Sequence, residues 1–194
     1  MWGVTIARMK RQKAKSKNYM PYTPIVATLG YMLDRSTQRV LMIHRNIRIG
    51  DHHLGKYNGL GGKLEPREDI VSGMKREIHE EAGVEVTSLK LRGSINWPGF
   101  GKHGEDWLGF IFVIDGWRGQ PLTENNEGTL HWIDLDRILQ SCAIDAETRL
   151  SVALPMWPGD MYFLPLVFGD DTRQFHGVMP YENGAPTGWQ YEWV

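Results

Sequence analysis

The 194-residue chain has a single cysteine, Cys142, so an internal disulfide is excluded and a cysteine-based zinc site cannot be built. Any metal it binds must be held by oxygen or histidine. No apolar run approaches the roughly 18 to 20 residues of a membrane span, and the first twenty residues lack the apolar stretch of a signal peptide. A soluble, cytoplasmic protein is expected. Internal repeats and low-complexity segments are also absent, which removes solenoid architectures. Acid is missing from residues 1–20, which carry Arg8, Lys10, Arg11, Lys13, Lys15 and Lys17. The remainder has 16 basic against 23 acidic residues, a net charge of −7. An acidic body is a poor surface for duplex DNA, whose binding depends on phosphate neutralisation, so no stable duplex partner is expected. The basic arm has the charge to touch nucleic acid, but such a terminus is more often a solvated tail. Met9 and Met20 offer alternative starts. Residues 21–194 read as one domain, since 41% apolar content is ample for one core.

What is present begins with β-branched and aromatic residues. Ile25 to Leu33 and Arg39 to His44 read as strands joined through the turn Asp34 to Thr37. Ser88 to Asn96, Leu108 to Ile114 and Leu130 to Asp134 read as further strands, and Leu135 to Cys142 as a short helix. The tail from Trp157 mixes short apolar runs with turns, and Phe175 to Met179 could return to a sheet. Runs of strands with few helices between them indicate an α+β fold, a mixed sheet with helices packed on it.

The most informative segment is YNGLGGKLEPREDIVSGMKREIHEEAGVEV, residues 57–86. Asp69 can cap a helix from Ile70 to Ala82, and Gly83 suits the left-handed position that ends it. At about 100° per residue, Ile70, Val71, Met74, Ile78 and Ala82 share one arc and Glu77, Glu80 and Glu81 the next. Like charges at i,i+4 cost an isolated helix a few tenths of a kcal/mol, so Glu77 and Glu81 are not paired for helix stability. A bound cation would reverse that sign, and Mg²⁺ binds through one or two carboxylates plus substrate phosphates. Gly73, on the acidic side of the wheel, is expected to leave room there for metal or backbone.

Counted from Gly62, Glu68 follows after five residues, Arg76 and Glu77 after seven more, and then Ile78, Glu80, Glu81, Gly83 and Val84. This resembles the complete Nudix box, G-x5-E-x7-R-E-U-x-E-E-x-G-U with U aliphatic, and fills every defined position. The resemblance implies an α/β/α sandwich in which the box forms a loop and helix beside a mixed sheet. It implies Glu77 and Glu81 as principal metal ligands, Glu80 and the Gly61 carbonyl as further ligands, and Arg76 with Glu68 orienting the carboxylates. Family members supply one more glutamate from a loop before a strand; in NNEGTLHWIDL, Glu127 lies five residues before Trp132 and would be a second metal ligand or the general base. The implied chemistry is attack of water at phosphorus with Mg²⁺, or Mn²⁺ in its place, neutralising the anhydride oxygens. Lys63 either meets a phosphate as a point charge or is a solvated lysine at a strand end.

The flanks resemble the MutT-like branch, which includes 8-oxo-dGTP diphosphatases. KYNGLGGK is similar to K/R-W-N-G-x-G-G-K with Tyr57 in place of Trp, and MWPGD is similar to W-P-D-D with Gly159 in place of the first Asp. The resemblance implies a purine pocket of Asn58, Trp157 and Asp160. An amide reads donor and acceptor edges, an indole stacks on a base and a carboxylic acid pairs with purine nitrogen. Gly159 puts oxidised-base recognition, but not triphosphate hydrolysis, in question. His52 and His53, adjacent in a polar loop, are read as solvated rather than metal ligands. The expected substrate is a purine nucleoside triphosphate, oxidised or ordinary. Rival readings are an RNA 5′-triphosphate end, which the basic arm favours, a nucleotide sugar, and a non-catalytic nucleotide-binding regulator, which has no need of a full metal site. Both motif flanks lie beyond Met20, so a chain beginning there is expected to keep its rate on free nucleotides. A loss above about tenfold in kcat/KM, or about 1.4 kcal/mol, would place the arm in the site.

Overall fold

Alternation of side chains along three neighbouring strands decides the layers. The computed structural model describes residues 21–194 apart from 49 and 144; the basic arm lies outside the described residues. Strands β1 (Ile25–Asp34) and β2 (Arg39–His44) form the expected hairpin, whose turn is closed by Asp34 accepting from the Ser36 N–H and the Ser36 and Thr37 hydroxyls. The short β3 (Tyr57–Asn58) and β6 (Thr129–Asp134) both pair with β2. Next to β1 and parallel to it runs β5 (Trp107–Arg118), antiparallel to the long β4 (Glu85–Trp97). Beyond β4 come β7 (Phe175–Val178), parallel to it, and the edge strand β10 (Gln190–Trp193). A separate small hairpin is made by β8 (Tyr181–Glu182) and β9 (Ala185–Pro186). The sheet is mixed, in the order β10-β7-β4-β5-β1-β2-β3 with β6 off β2.

Four helices cover it: α1 (Ile70–Ala82), α2 (Leu135–Ser141), α3 (Ala146–Val152) and α4 (Asp160–Phe168). Tyr31 and Leu33, Val40 and Met42, Ile111 and Val113 point to one face, where Ile138 of α2 and Phe163, Leu164 and Val167 of α4 pack on them. Met32, Leu41, Ile43, Phe112 and Ile114 point to the other, against Met74, Ile78 and Ala82 of α1. The period of two along each strand and the α1 arc thus build the α+β sandwich with a helical layer on both faces. Among the described residues no helix is long and apolar enough to cross a membrane.

α1 starts and stops where its caps predict. Asp69 accepts from the Val71 and Ser72 N–H groups at 2.8 and 3.0 Å, and Gly83 takes the left-handed conformation at φ 71°. Gly73 departs from expectation: a Cβ there would meet Leu64 and stand 3.0 Å from Glu68, so the space serves the loop before the helix rather than a metal. α3 and α4 were not predicted. In α4 almost every side chain is apolar and Pro165 stands inside it, so neither periodicity nor propensity marks a helix. Tertiary contacts supply what propensity lacks, since Arg92 on β4 donates to the carbonyls of Leu166, Val167, Gly169 and Asp171 and so caps its C-terminal end.

Ile78, fully buried between α1 and the sheet, should be the cheapest place to loosen the helix without touching a carboxylate. Ile78→Ala is expected to cost about 2–5 kcal/mol in urea unfolding. A cost under about 1 kcal/mol would mean that α1 is not docked through this residue.

Candidate active site

A cavity of about 390 Å³ opens between the carboxylate side of α1 and the N-terminal end of α4. Glu77 and Glu81, one helical turn apart, reach it from α1, and Glu127 reaches it from the loop before β6. Asn58 comes from β3, Gly61 and Lys63 from the loop that follows, and Trp157 and Asp160 from the entry to α4. Eight of the nine residues expected to bind metal or substrate therefore line one cavity. The exception is Glu80, whose side chain is 56% exposed and accepts from Arg76 at 3.1 Å. Arg76 is off the wall too, paired with Glu68 and Glu77.

Arg76 holds the acidic segment together. Its Nε and Nη2 donate to the two Glu68 oxygens at 2.9 and 3.0 Å, its Nη1 to Glu77 at 2.8 Å, and its Nη2 also to the Lys63 carbonyl at 3.1 Å. Glu81 instead accepts from the Gly61 N–H at 2.8 Å. Gly61 sits at φ 142°, and a Cβ would collide with the Thr28 carbonyl, so only glycine lets the loop lie this close to β1. Burial raises the Glu81 carboxyl to about 8, opposed by the Gly61 N–H and reinforced by Glu127 and Glu77. Burial also raises Glu77, with Arg76 opposing it.

Glu127 is set by its loop. The Asn125 side-chain oxygen accepts from the Glu127 and Gly128 N–H groups at 2.8 and 3.1 Å, while its Nδ2 donates to the Glu81 carbonyl at 3.0 Å. The loop is thereby fastened to the end of α1. Arg45, after β2, pairs with Glu127 and with Asp51, the latter at 2.6 Å. Neither Asn125 nor Arg45 was singled out from sequence, where both look like ordinary polar loop residues.

The aromatic part of the wall contains more than was predicted. Trp157 is 8% exposed, and its indole N–H donates to His53 Nδ1 at 2.8 Å. The solvated reading of His53 is therefore corrected: it is half-buried, and burial first, then Arg45, push its pKa down to about 4. At neutral pH it is uncharged and takes the tautomer with the proton on Nε2. His52 is exposed but lies 4.8 Å from the Trp157 ring, and the Lys56 ammonium also lies 4.8 Å from that ring. Phe100, from a glycine-rich loop, stands edge-on to Trp157 at 5.2 Å and to Tyr181 at 5.0 Å. Lys63 Nζ lies 5.3 Å over Trp107, at the cavity rather than away from it. Asp160 accepts from the Trp157 N–H at 3.1 Å; burial raises its carboxyl to about 7, with that N–H and Lys56 opposing.

Comparison with known proteins agrees with this geometry. The NUDIX domain family matches residues 23–151. The chain is 34% identical over 146 residues to the oxidized purine nucleoside triphosphate hydrolase of Mus musculus, covering 75% of this chain and 81% of that protein. It is 30% identical over 128 residues to the Danio rerio protein of the same name, covering 66% and 71%. Among solved structures, the MutT protein from Bacillus halodurans is similar with a TM-score of 0.68 and 25% identity, covering 87% of this chain and 97% of that one. With the box forming a loop and helix that turn Glu77 and Glu81 into a cavity of the sandwich, the chain belongs to the Nudix hydrolase family.

Proposed function

We propose that this Nudix hydrolase cleaves purine nucleoside triphosphates, oxidised forms such as 8-oxo-dGTP among them, to the monophosphate and pyrophosphate with a divalent ion, Mg²⁺ or Mn²⁺ in its place. Such an enzyme would clear damaged precursors from the nucleotide pool. The observation that carries the reading is one cavity lined both by box carboxylates and by a polar, aromatic wall suited to a base. Relatives named oxidized purine nucleoside triphosphate hydrolases support it. So do three buried polar atoms with no partner among the described residues: Thr28 Oγ1, Asn58 Nδ2 and Trp107 Nε1. All three residues line this cavity, and a ligand rich in oxygen and nitrogen would satisfy them.

The donor set fits a hard divalent cation. Among the described residues no three ligating side chains are drawn into a preformed cage, because Arg76 holds Glu77 and Glu80 while Arg45 holds Glu127. Mg²⁺ does not require one, since it keeps several waters and takes the rest of its shell from substrate phosphates. Carboxylates whose pKa values are raised by burial and by neighbouring carboxylates gain most from such an ion. Glu77, Glu81, Glu127 and the Gly61 carbonyl would hold it, and it would supply charge neutralisation at the anhydride and a more acidic attacking water. Arg76, with Glu68, keeps the Glu77 carboxylate aimed. Arg45 keeps Glu127 at the wall, where it either completes the ligand set or takes the proton of the water. Lys63 would meet a phosphate, the Trp157 face the base, and Asn58 and Asp160 its edges.

Glu81→Gln keeps the volume and the acceptor for Gly61 but removes ligand charge. It should stay folded, as judged by its thermal transition, and lose about 10²- to 10³-fold in kcat. Near-normal turnover in folded Glu81→Gln would overturn the assignment of this face.

Asp160 gives a pH signature. Its folded pKa of about 7 lies above the ordinary value of 3.8, so the native protein binds the extra proton between those values. Its contribution to stability is full below about pH 4 and is lost as pH rises through about 7. The protonated acid is also the form that can donate to an oxo group of the base, so KM for 6-oxo purine nucleotides should rise as pH passes about 7 with little change in kcat. Asp160→Asn, which cannot titrate, should flatten both profiles. If the wild-type and Asp160→Asn profiles of KM coincide from pH 6 to 8.5, this carboxyl does not meet the base.

A further inference from the structure

Beside Asp160 the cavity wall carries a hydroxyl that no role above employs. Gly159 has φ −70°, a value open to any residue, so its backbone does not call for glycine. Space does. A Cβ on Gly159 would run into the Tyr181 hydroxyl oxygen and stand 2.6 Å from Met179 Sδ. The Tyr181 hydroxyl, delivered from the far end of the chain, fills the volume that a side chain at 159 would occupy. Tyr181 is 6% exposed and lines the same cavity as Asp160. Its ring is fixed edge-on to Phe100, and its backbone N–H donates to the Pro98 carbonyl at 2.8 Å.

We propose that Tyr181 is a specificity-determining residue whose hydroxyl, next to Asp160, reads the purine edge and admits both 6-oxo and 6-amino purines. The proposal rests on the nucleotide reading above, because it needs a base seated by Trp157. The chemistry follows from what each group can offer. Ionised, Asp160 only accepts and so suits an amino group; a phenol carries one rotatable donor and two acceptor positions, and suits either an oxo or an amino group. Burial raises the Tyr181 pKa, with Asp160 adding to the shift, so the group stays O–H wherever the enzyme is folded and active. A rotor of this kind replaces a fixed pattern by an adaptable one. It makes discrimination among purines weaker and discrimination against pyrimidines a matter of pocket size and stacking.

The test compares dGTP, dATP and dCTP in wild type, Tyr181→Phe, Trp157→Ala and Gly159→Ala. Tyr181→Phe keeps the ring against Phe100 and removes only the oxygen. It should raise KM for both purines about three- to tenfold, more than it lowers kcat, and leave dCTP unchanged. Gly159→Ala, whose Cβ must displace the hydroxyl, should reproduce the purine loss and add little further loss in a Tyr181→Phe background. Purine KM values unchanged in Tyr181→Phe but raised in Trp157→Ala would overturn the role of Tyr181 while leaving the base pocket standing. Equal losses on all three nucleotides, with kcat falling and the thermal transition lowered, would make Tyr181 a packing residue and also overturn the proposal. If Trp157→Ala leaves purine KM unchanged, the base is not bound here, and the nucleotide reading of the wall fails together with the proposal.

Discussion

The Arg76 guanidinium is the interaction on which the acidic end of the site depends. A helix that turns Glu77, Glu80 and Glu81 to one side, beside Glu68 from the preceding loop, concentrates like charge where solvent is partly excluded. Arg76 answers it from the same helix, with two bonds to Glu68, one each to Glu77 and Glu80, and one to the Lys63 carbonyl. A planar fork with five fixed donors can do this at once, and a lysine in its place could not. Because Glu81 is left out of that set and is answered by the Gly61 N–H instead, the segment keeps one carboxyl strongly disposed to gain a cation. Structure and chemistry therefore use the same residues in opposite senses: what destabilises the helix without a cation stabilises a cation when it arrives.

A second arginine ties this end to the aromatic wall. Arg45 pairs with Glu127 and Asp51, Asp51 accepts from the His53 N–H at 3.0 Å, and His53 accepts from the Trp157 indole. The chain of contacts runs through one loop, so moving Glu127 would pull on the residue that fixes the plane of Trp157. A neutral His53 is required for its last link, since a doubly protonated ring has no lone pair to accept with. Burial and Arg45 both push toward that neutral form, opposing Asp51. The same arginine thus holds a carboxylate at the cavity and favours the neutral form of the histidine, while the Trp157 indole selects its tautomer.

The sheet, the first helix and the box carboxylates were legible because each is encoded locally. Runs of β-branched and aromatic residues between turns marked β1, β2, β5 and β6 to within about four residues of their ends, and Asp69 and Gly83 marked both ends of α1. α4 was not legible, because an almost wholly apolar helix with an internal proline has no polar face to give it a period, and its cap comes from Arg92 on β4. His53 was misread for a related reason. Its burial depends on Trp157, 104 residues away, and two adjacent histidines in a polar loop carry no trace of that distant partner. Glu80 is expected at the metal from the resemblance but lies outside the cavity, paired with Arg76 one turn before it on the exposed side of α1.

Gly159 shows how a departure from a family pattern can be read physically rather than as a loss. Position 159 lacks an acid, and from the sequence alone that subtracts a polar group from the wall. Folding returns one, because β8 brings Tyr181 against the same spot and its hydroxyl occupies the space a side chain there would need. The exchange is between a group that ionises and one that does not. It leaves Asp160 as the one carboxyl on the aromatic wall among the described residues, and so lets burial raise that carboxyl without a second acid beside it. Two neighbouring acids would couple, each shifting the other, whereas an acid next to a phenol titrates largely on its own. A base seated on this wall, as proposed above, would therefore meet one group that titrates near neutral pH and one that does not.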